Sequence, residues 1–206
     1  MGRARDFWRS NAATADACLR HPFLRGIADG TLPRGRFLFY VGQDAFYLDA
    51  YARAYALALA KAPDRAALAT FHDLLGGALS EIGLHREYAQ RWGADLDPLP
   101  APATLAYTDF LLRVAWSEGP GRIAAAMAPC MRLYAYLGQA LESSTRTTSP
   151  YAEWVRTYAD GAFGALARRL EDVLDRLDDN TADTADYYRQ AMRLELAFFD
   201  SAWQGP

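Results

Sequence analysis

The chain has 206 residues, 51% of them hydrophobic, and a formal net charge of −3. That length and apolar content fit one domain with a sizeable core, and the charge leaves no basic patch or tail of the kind that nucleic-acid binding needs. No apolar run is long enough to span a bilayer, and the N-terminus, Met1-Gly2-Arg3-Ala4-Arg5-Asp6, lacks the apolar centre of a signal peptide, so a cytoplasmic location is the expectation. In that reducing compartment the two cysteines, Cys18 and Cys130, are read as separate thiols rather than a disulfide.

In chain order, Arg3 to Asp29 reads as helical, with Phe7, Leu19, Phe23 and Ile27 inward and Pro22 kinking or splitting it. Gly30 ends that segment. Thr31 is the expected N-cap of the next, with Pro33 in its first turn, where a missing N–H costs nothing. A long helix then runs from Pro33 to Ala62. Asp64 caps a third, from Arg65 to Trp92, which carries Leu74, Leu79, Ile82 and Tyr88; its Gly76-Gly77 pair either weakens it or allows a close crossing. Asp95 to Pro102 is a proline-rich loop, and Ala103 to Ser117 a helix with Tyr107, Phe110 and Leu111 inward. After the break at Gly119-Pro120-Gly121, a helix from Arg122 to Leu141 is expected to be interrupted at Pro129. Ser143 to Pro150 is a loop. Tyr151 to Leu177 gives one or two helices, broken near Gly161, and after polar residues 178–184 the segment from Ala185 to Trp203 closes the chain as a helix. Period-two alternation of β-branched residues is absent, so the expected fold is an all-α multi-helix bundle forming a single domain.

Three places carry chemistry. On the long second helix, Tyr40, Asp44, Tyr47 and Tyr51 fall on one face at helical spacing. Rings beside a carboxylate suit a flat, hydrogen-bonding ligand; on this stretch alone the commoner case is a core rim whose acid pairs with an arginine. Cys130 follows Pro129, and a bend there can aim the thiol into a cavity, with Tyr134 one turn on; the bland alternative is a buried small hydrophobe. Cys18 has no such punctuation and reads as packing. Glu195 sits among apolar residues with Phe198 nearby. It is either paired with an arginine or held with a raised pKa that suits a proton donor. The histidines, His21, His72 and His85, have no metal-ligand spacing; His85 is placed for a helical hydrogen bond with Glu81 or Tyr88, and His21 reads as structural beside Pro22. No glycine-rich phosphate loop or dinucleotide fingerprint is present.

Taken in order, His21 to Leu32, Gln43 to Leu48, Leu105 to Thr108, Pro129-Cys130 with Tyr134, Tyr151 to Trp154 with Tyr158, and Glu195 with Phe198 resemble the TenA family, also called thiaminase II or aminopyrimidine aminohydrolase. The resemblance covers nearly the whole chain. It implies a haem-oxygenase-like helical fold without haem, metal or other cofactor, and a homotetramer. It also implies salvage of the pyrimidine half of thiamin: hydrolysis of 4-amino-5-aminomethyl-2-methylpyrimidine to the hydroxymethylpyrimidine and ammonia, with cleavage of thiamin as a slower related reaction. Carried across by position, Cys130 would add to the pyrimidine ring and Glu195 would protonate a ring nitrogen. Asp44 would hold the 4-amino group and the adjacent ring nitrogen. Tyr47, Tyr107, Tyr134, Tyr158 and Phe198 would line the pocket. Two departures stand out: Phe199 where many relatives carry tryptophan, and Arg132 close to the thiol, which either lowers its pKa or points to solvent or a subunit contact. The rival reading is a binding or regulatory protein on the same fold, which would need no nucleophile.

Overall fold

Among the described residues there are ten helices and no strand. The computed structural model describes residues 2–206, except for the side chains of Leu84, His85 and Tyr88. The expected apolar role of Tyr88 and the hydrogen bond of His85 therefore lie outside the described residues.

The all-α expectation holds, and the breaks between elements show which local signals decided it. The first segment is three short helices, α1 (Arg3–Ser10), α2 (Ala12–Leu19) and α3 (Pro22–Asp29). Pro22 splits it as expected. The break at Asn11 was not foreseen: its Nδ2 donates to the Phe7 carbonyl at 2.8 Å, an alternative the side chain offers to the backbone's own pairing. His21 is structural. Its Nδ1 accepts from the Phe23 N–H at the start of α3, and its Nε2 lies 3.1 Å from Asp200. Gly30, at φ 74°, ends α3 in the left-handed conformation that glycine adopts freely.

Thr31 does not cap the next helix. The chain after Gly30 is tied back by a hydrogen bond from the Leu32 N–H to the Gly26 carbonyl, and Leu32 is buried. Helix α4 (Arg34–Ala60) therefore begins one residue after Pro33, which takes the cap position without a side-chain bond. Asp64 does cap α5 (Arg65–Trp92), accepting from the Ala67 N–H at 2.8 Å. Gly76-Gly77 leaves α5 unbroken, and Gly77 faces Leu166 across a helix crossing. Leu74 is buried and Ile82 half-buried, but Leu79 is exposed.

Helix α6 (Pro102–Ser117) buries Tyr107, Phe110 and Leu111 as its periodicity requires. Helix α7 (Pro120–Glu142) corrects the reading of Pro129: the helix runs straight through that residue rather than being interrupted by it. Proline removes one N–H from the ladder, and this helix is buried along most of its length, so packing outweighs the local cost. The last segments are α8 (Ala152–Ala159), α9 (Gly161–Leu177) and α10 (Ala182–Gln204), with the α8–α9 break at Asp160, which caps α9 through the Ala162 N–H.

Helix α7 packs on α8, α9, α10 and α4, while α4 packs on α5 and α6. Five elements thus pack around α4 and α7. One contact is unusually close. A Cβ on Gly138 would lie 2.4 Å from the backbone of Tyr158 and Ala159, so only glycine lets α7 and α8 approach this far. Gly138→Ala should cost about 2 kcal/mol by overpacking, read as a lowered urea midpoint.

Candidate active site

The middle of the bundle gathers the residues singled out in the sequence from five separate helices. Asp44 and Tyr47 come from α4, Tyr107 from α6, Cys130 and Tyr134 from α7, Tyr158 from α8, and Glu195 and Phe198 from α10. Helical spacing puts each on the inner face of its element.

Glu195 is 2% exposed, and its Oε1 accepts from the Tyr107 hydroxyl at 2.7 Å. Among the described residues no arginine pairs with it. Burial pushes its pKa from an ordinary 4.5 up to about 8; the Tyr107 bond and the Cys130 thiol pull it down, and the nearby Asp44 carboxylate pushes it further up. Glu195 therefore holds its proton at neutral pH. Cys130 keeps partial exposure as a residue, yet burial raises its thiol well above the ordinary range. Glu195, Glu81 and Asp44 add to the rise, and the Tyr47 hydroxyl opposes it. The resting sulfur is a neutral thiol and must lose its proton during any attack. Both cysteines are free, and Cys18 is a buried thiol raised by burial, in keeping with a packing role.

Tyr47 is 3% exposed, and its hydroxyl has no hydrogen-bond partner of ordinary geometry among the described residues. It lies close enough to Cys130 and Tyr107 to stabilise either as an anion. A buried hydroxyl left over in this way is a natural contact for a ligand's polar atom. The rings form a continuous wall. Tyr47 lies 4.7 Å from Tyr107 and 6.1 Å from Phe198, centroid to centroid, and Tyr134 lies 4.7 Å from Tyr158, edge to face. Asp44 is 5% exposed, and its charge is felt at Glu195, Cys130 and Tyr134.

Several contributors were not assigned a role from sequence. Tyr40, to which the resemblance gives no role, shares a hydrogen bond with the Tyr134 hydroxyl at 3.1 Å and accepts from the Trp154 indole N–H at 3.2 Å, so it positions a wall residue. Tyr51, likewise without a role in the resemblance, donates to the Met127 carbonyl at 2.9 Å and stacks on Tyr47. Glu81 accepts from the Tyr158 hydroxyl at 2.6 Å. Phe199 is fully buried, 5.8 Å from Tyr134, and fills space where an indole N–H would want a partner. Arg132 is not among the groups acting on the Cys130 thiol. It faces away, 3.6 Å from Glu171 and 4.9 Å from the centre of the Trp8 ring.

Among the described residues, no group of three or more His, Cys, Asp or Glu is spaced to hold a metal ion, and no helix is long and apolar enough to cross a membrane. The arrangement offers a buried acid that is protonated at neutral pH, a thiol beside it, an aromatic wall and a second carboxylate. Together these can protonate a ring nitrogen and add sulfur to the same ring.

The raised pKa of Glu195 has a consequence for stability. Below about pH 4.5 the group is neutral both folded and unfolded. Between there and about pH 8 only the unfolded chain gives up the proton, so this group's contribution is lost as pH rises. The slope is about 1.4 kcal/mol per pH unit at its steepest, levelling above the folded pKa. Urea titrations at pH 5 and pH 8 should show Glu195→Gln losing less stability between the two than the wild type. Equal losses would contradict the buried, protonated acid.

Residues 8–205 match the TENA/THI-4/PQQC family. The aminopyrimidine aminohydrolase of Halalkalibacterium halodurans is 36% identical over 200 residues, covering 91% of this chain and 89% of that protein. Among solved structures, a TenA homologue from P. horikoshii OT3 superposes with a TM-score of 0.92 at 24% identity, over the full length of both chains. A domain from Shewanella denitrificans with a haem-oxygenase-like fold does so with a TM-score of 0.75 at 16% identity, over 95% of this chain and 90% of that one. The last two likenesses bear on the fold, which is haem-oxygenase-like as the sequence implied.

Proposed function

The chain belongs to the TENA/THI-4/PQQC family, and we propose that it is an aminopyrimidine aminohydrolase of thiamin salvage that works through Cys130 and Glu195. The observation that carries this reading is the buried Glu195, held protonated up to about pH 8 beside a thiol and a tyrosine hydroxyl. A regulatory or binding protein has no use for that pair.

In this reading the aminomethylpyrimidine lies against Tyr47 and Phe198, with its amino group and the adjacent ring nitrogen on Asp44. Glu195 gives its proton to the other ring nitrogen. The Cys130 sulfur bonds to the neighbouring ring carbon, and the thiol proton passes to the carboxylate that Glu195 has just become. The ring nitrogen's electron pair then drives the amine from the exocyclic methylene; it leaves with the C–N pair and takes the proton that Glu195 has just received, so that it departs as ammonia. Water adds to the methylene, and one of its protons passes to the Glu195 carboxylate. The electrons return through the ring, the C–S bond breaks, and sulfur and Glu195 regain their starting forms. The net change is amine plus water to alcohol plus ammonia. The ring is the electron sink, so the residues named supply every step.

The test is incubation of the pure protein with 4-amino-5-aminomethyl-2-methylpyrimidine, with chromatography for the hydroxymethylpyrimidine and an ammonia assay. Equal amounts of both products are expected. A folded protein that forms neither overturns the reading.

The chain is further proposed to act as a homo-oligomer. Trp116 at 70% exposed and Leu79 at 55% are apolar surfaces that a second copy would cover. Light scattering that returned only the monomer mass would overturn this.

A further inference from the structure

Behind the ring wall, three buried side chains from three helices hydrogen-bond in a row. Trp154 of α8 gives its indole N–H to the Tyr40 hydroxyl of α4 at 3.2 Å, and that hydroxyl lies 3.1 Å from the Tyr134 hydroxyl of α7. The row has a direction. An indole N–H can only donate, so the Tyr40 oxygen is an acceptor at that end, and each hydroxyl has one proton to give. Were Tyr134 to donate to Tyr40 as well, the Tyr40 proton would be stranded: the residue is 1% exposed and has no other hydrogen-bonding neighbour among the described residues. A buried donor left unmade carries its full desolvation cost. With Tyr40 donating instead, the proton left over belongs to Tyr134, which stands on the wall of the proposed site, where a ligand or solvent can take it. The neighbouring Tyr158 does not compete for that place, because its hydroxyl donates to Glu81.

We propose that Trp154 and Tyr40 are positioning residues, which fix the Tyr134 hydroxyl as a donor toward the oxygen that replaces the amine on the pyrimidine's exocyclic methylene. The inference rests on the aminopyrimidine reading above and deepens it. In that reading Asp44 and Glu195 between them serve the ring amine and both ring nitrogens, and the departing amine takes its proton from Glu195. The incoming water gives one proton to Glu195 and one electron pair to the methylene. Its second pair is the acceptor still to be placed, and it remains on the oxygen of the finished alcohol. A hydroxyl preset as a donor holds that oxygen without turning at the moment of reaction. No bond to Tyr134 forms or breaks, and the tyrosine keeps its proton. A close helix contact sets the row up: α7 and α8 meet at Gly138, one turn beyond Tyr134, against Tyr158, one turn beyond Trp154.

The experiment measures, by isothermal titration, the affinity for the hydroxymethylpyrimidine product and for 4-amino-2,5-dimethylpyrimidine, which has a methyl group where the product carries its alcohol. The wild type should prefer the alcohol about tenfold, the worth of one hydrogen bond in a buried site. Tyr40→Phe and Trp154→Phe each keep an aromatic ring in place. Each should cut that preference to about threefold or less, while binding the dimethyl compound within about threefold of the wild type. Tyr134→Phe should abolish the preference, and Tyr40→Phe added to Tyr134→Phe should change it no further. A role in packing alone would instead weaken both ligands alike and persist in the double variant. Retained binding of the dimethyl compound shows that a variant has folded, and Tyr40→Phe, which removes a single oxygen, carries the test if Trp154→Phe does not fold. An unchanged preference in Tyr40→Phe, equal weakening of both ligands, or a further loss in the double variant overturns the positioning role. So does a wild type that binds both compounds equally, with the hydrolase left standing if the aminomethylpyrimidine is still turned over. If the preference responds as expected but no amine is hydrolysed, the hydrolase reading fails and the row stands as a feature of ligand binding. A wild type that binds neither compound overturns both.

Discussion

Glu195→Gln should lower kcat for the aminomethylpyrimidine by about a hundredfold to ten-thousandfold, the usual worth of a positioned general acid. The amide keeps the volume and can still accept from Tyr107, so the pocket should stay closed and KM should change little. What it loses is the proton that, in the proposed mechanism, makes the ring electrophilic. The wild type should also show kcat/KM falling above about pH 8, because there Glu195 ionises. The sign is fixed by the role: a donor is active while protonated, so activity is full below this pKa and lost above it. Tyr107 lowers that pKa by donating to the ionised form, so Tyr107→Phe should move the falling limb to higher pH. A limb that moved down, or stayed unchanged in Glu195→Gln with residual activity, would exclude Glu195 as the proton donor.

Cys130→Ser should lower kcat by about a thousandfold or more, since a hydroxyl in the same place is a far weaker nucleophile at neutral pH. The sulfur is lost but the rings and Asp44 remain, so the substrate should still bind within a few-fold of its wild-type affinity. Isothermal titration with the hydroxymethylpyrimidine product separates the two effects. The raised thiol pKa sharpens the expectation. Cys130 is not a resting thiolate, so its fast, unselective alkylation by iodoacetamide at pH 7 is not expected. In the proposed mechanism its ionisation belongs to the catalytic step, when Glu195 has just parted with a proton and can receive another.

Much of this architecture was legible because helices are marked at their ends by local chemistry. Asp64 before α5, Gly30 after α3 and the Gly119-Pro120 pair before α7 act through their own backbone neighbours, and each does in the structure what it promises in the sequence. The errors fall where a distant contact outweighs a local one. Pro129 fails to break α7 because that helix is enclosed by its neighbours, and Thr31 is drawn away from a cap by the tie from Leu32 to Gly26. Asn11 breaks the first segment through a side-chain bond that a run of good helix formers conceals. The candidate site follows the same division. Cys130, Glu195 and Asp44 stand out as polar groups on apolar faces, and their positions also carry the family resemblance. The supports of Tyr134 and Tyr158 do not stand out. Tyr40 meets Tyr134 and Trp154 from 94 and 114 positions away, and Glu81 meets Tyr158 from 77. Single-helix periodicity assigns such residues to the core and stops there. A raised pKa for Glu195 was one of the two outcomes the sequence left open, the other being pairing with an arginine; its tyrosine partner emerges only from the packing of α6 on α10.

The central claim, that a thiol and a buried acid in this bundle hydrolyse an aminopyrimidine, is tested most directly by the initial rate of ammonia release from 4-amino-5-aminomethyl-2-methylpyrimidine, with wild type and Cys130→Ser measured side by side at pH 7. The predicted result is steady release by the wild type and, by Cys130→Ser, a rate about a thousandfold lower or less. Release at the wild-type rate by Cys130→Ser, or none from a folded wild type, would contradict it.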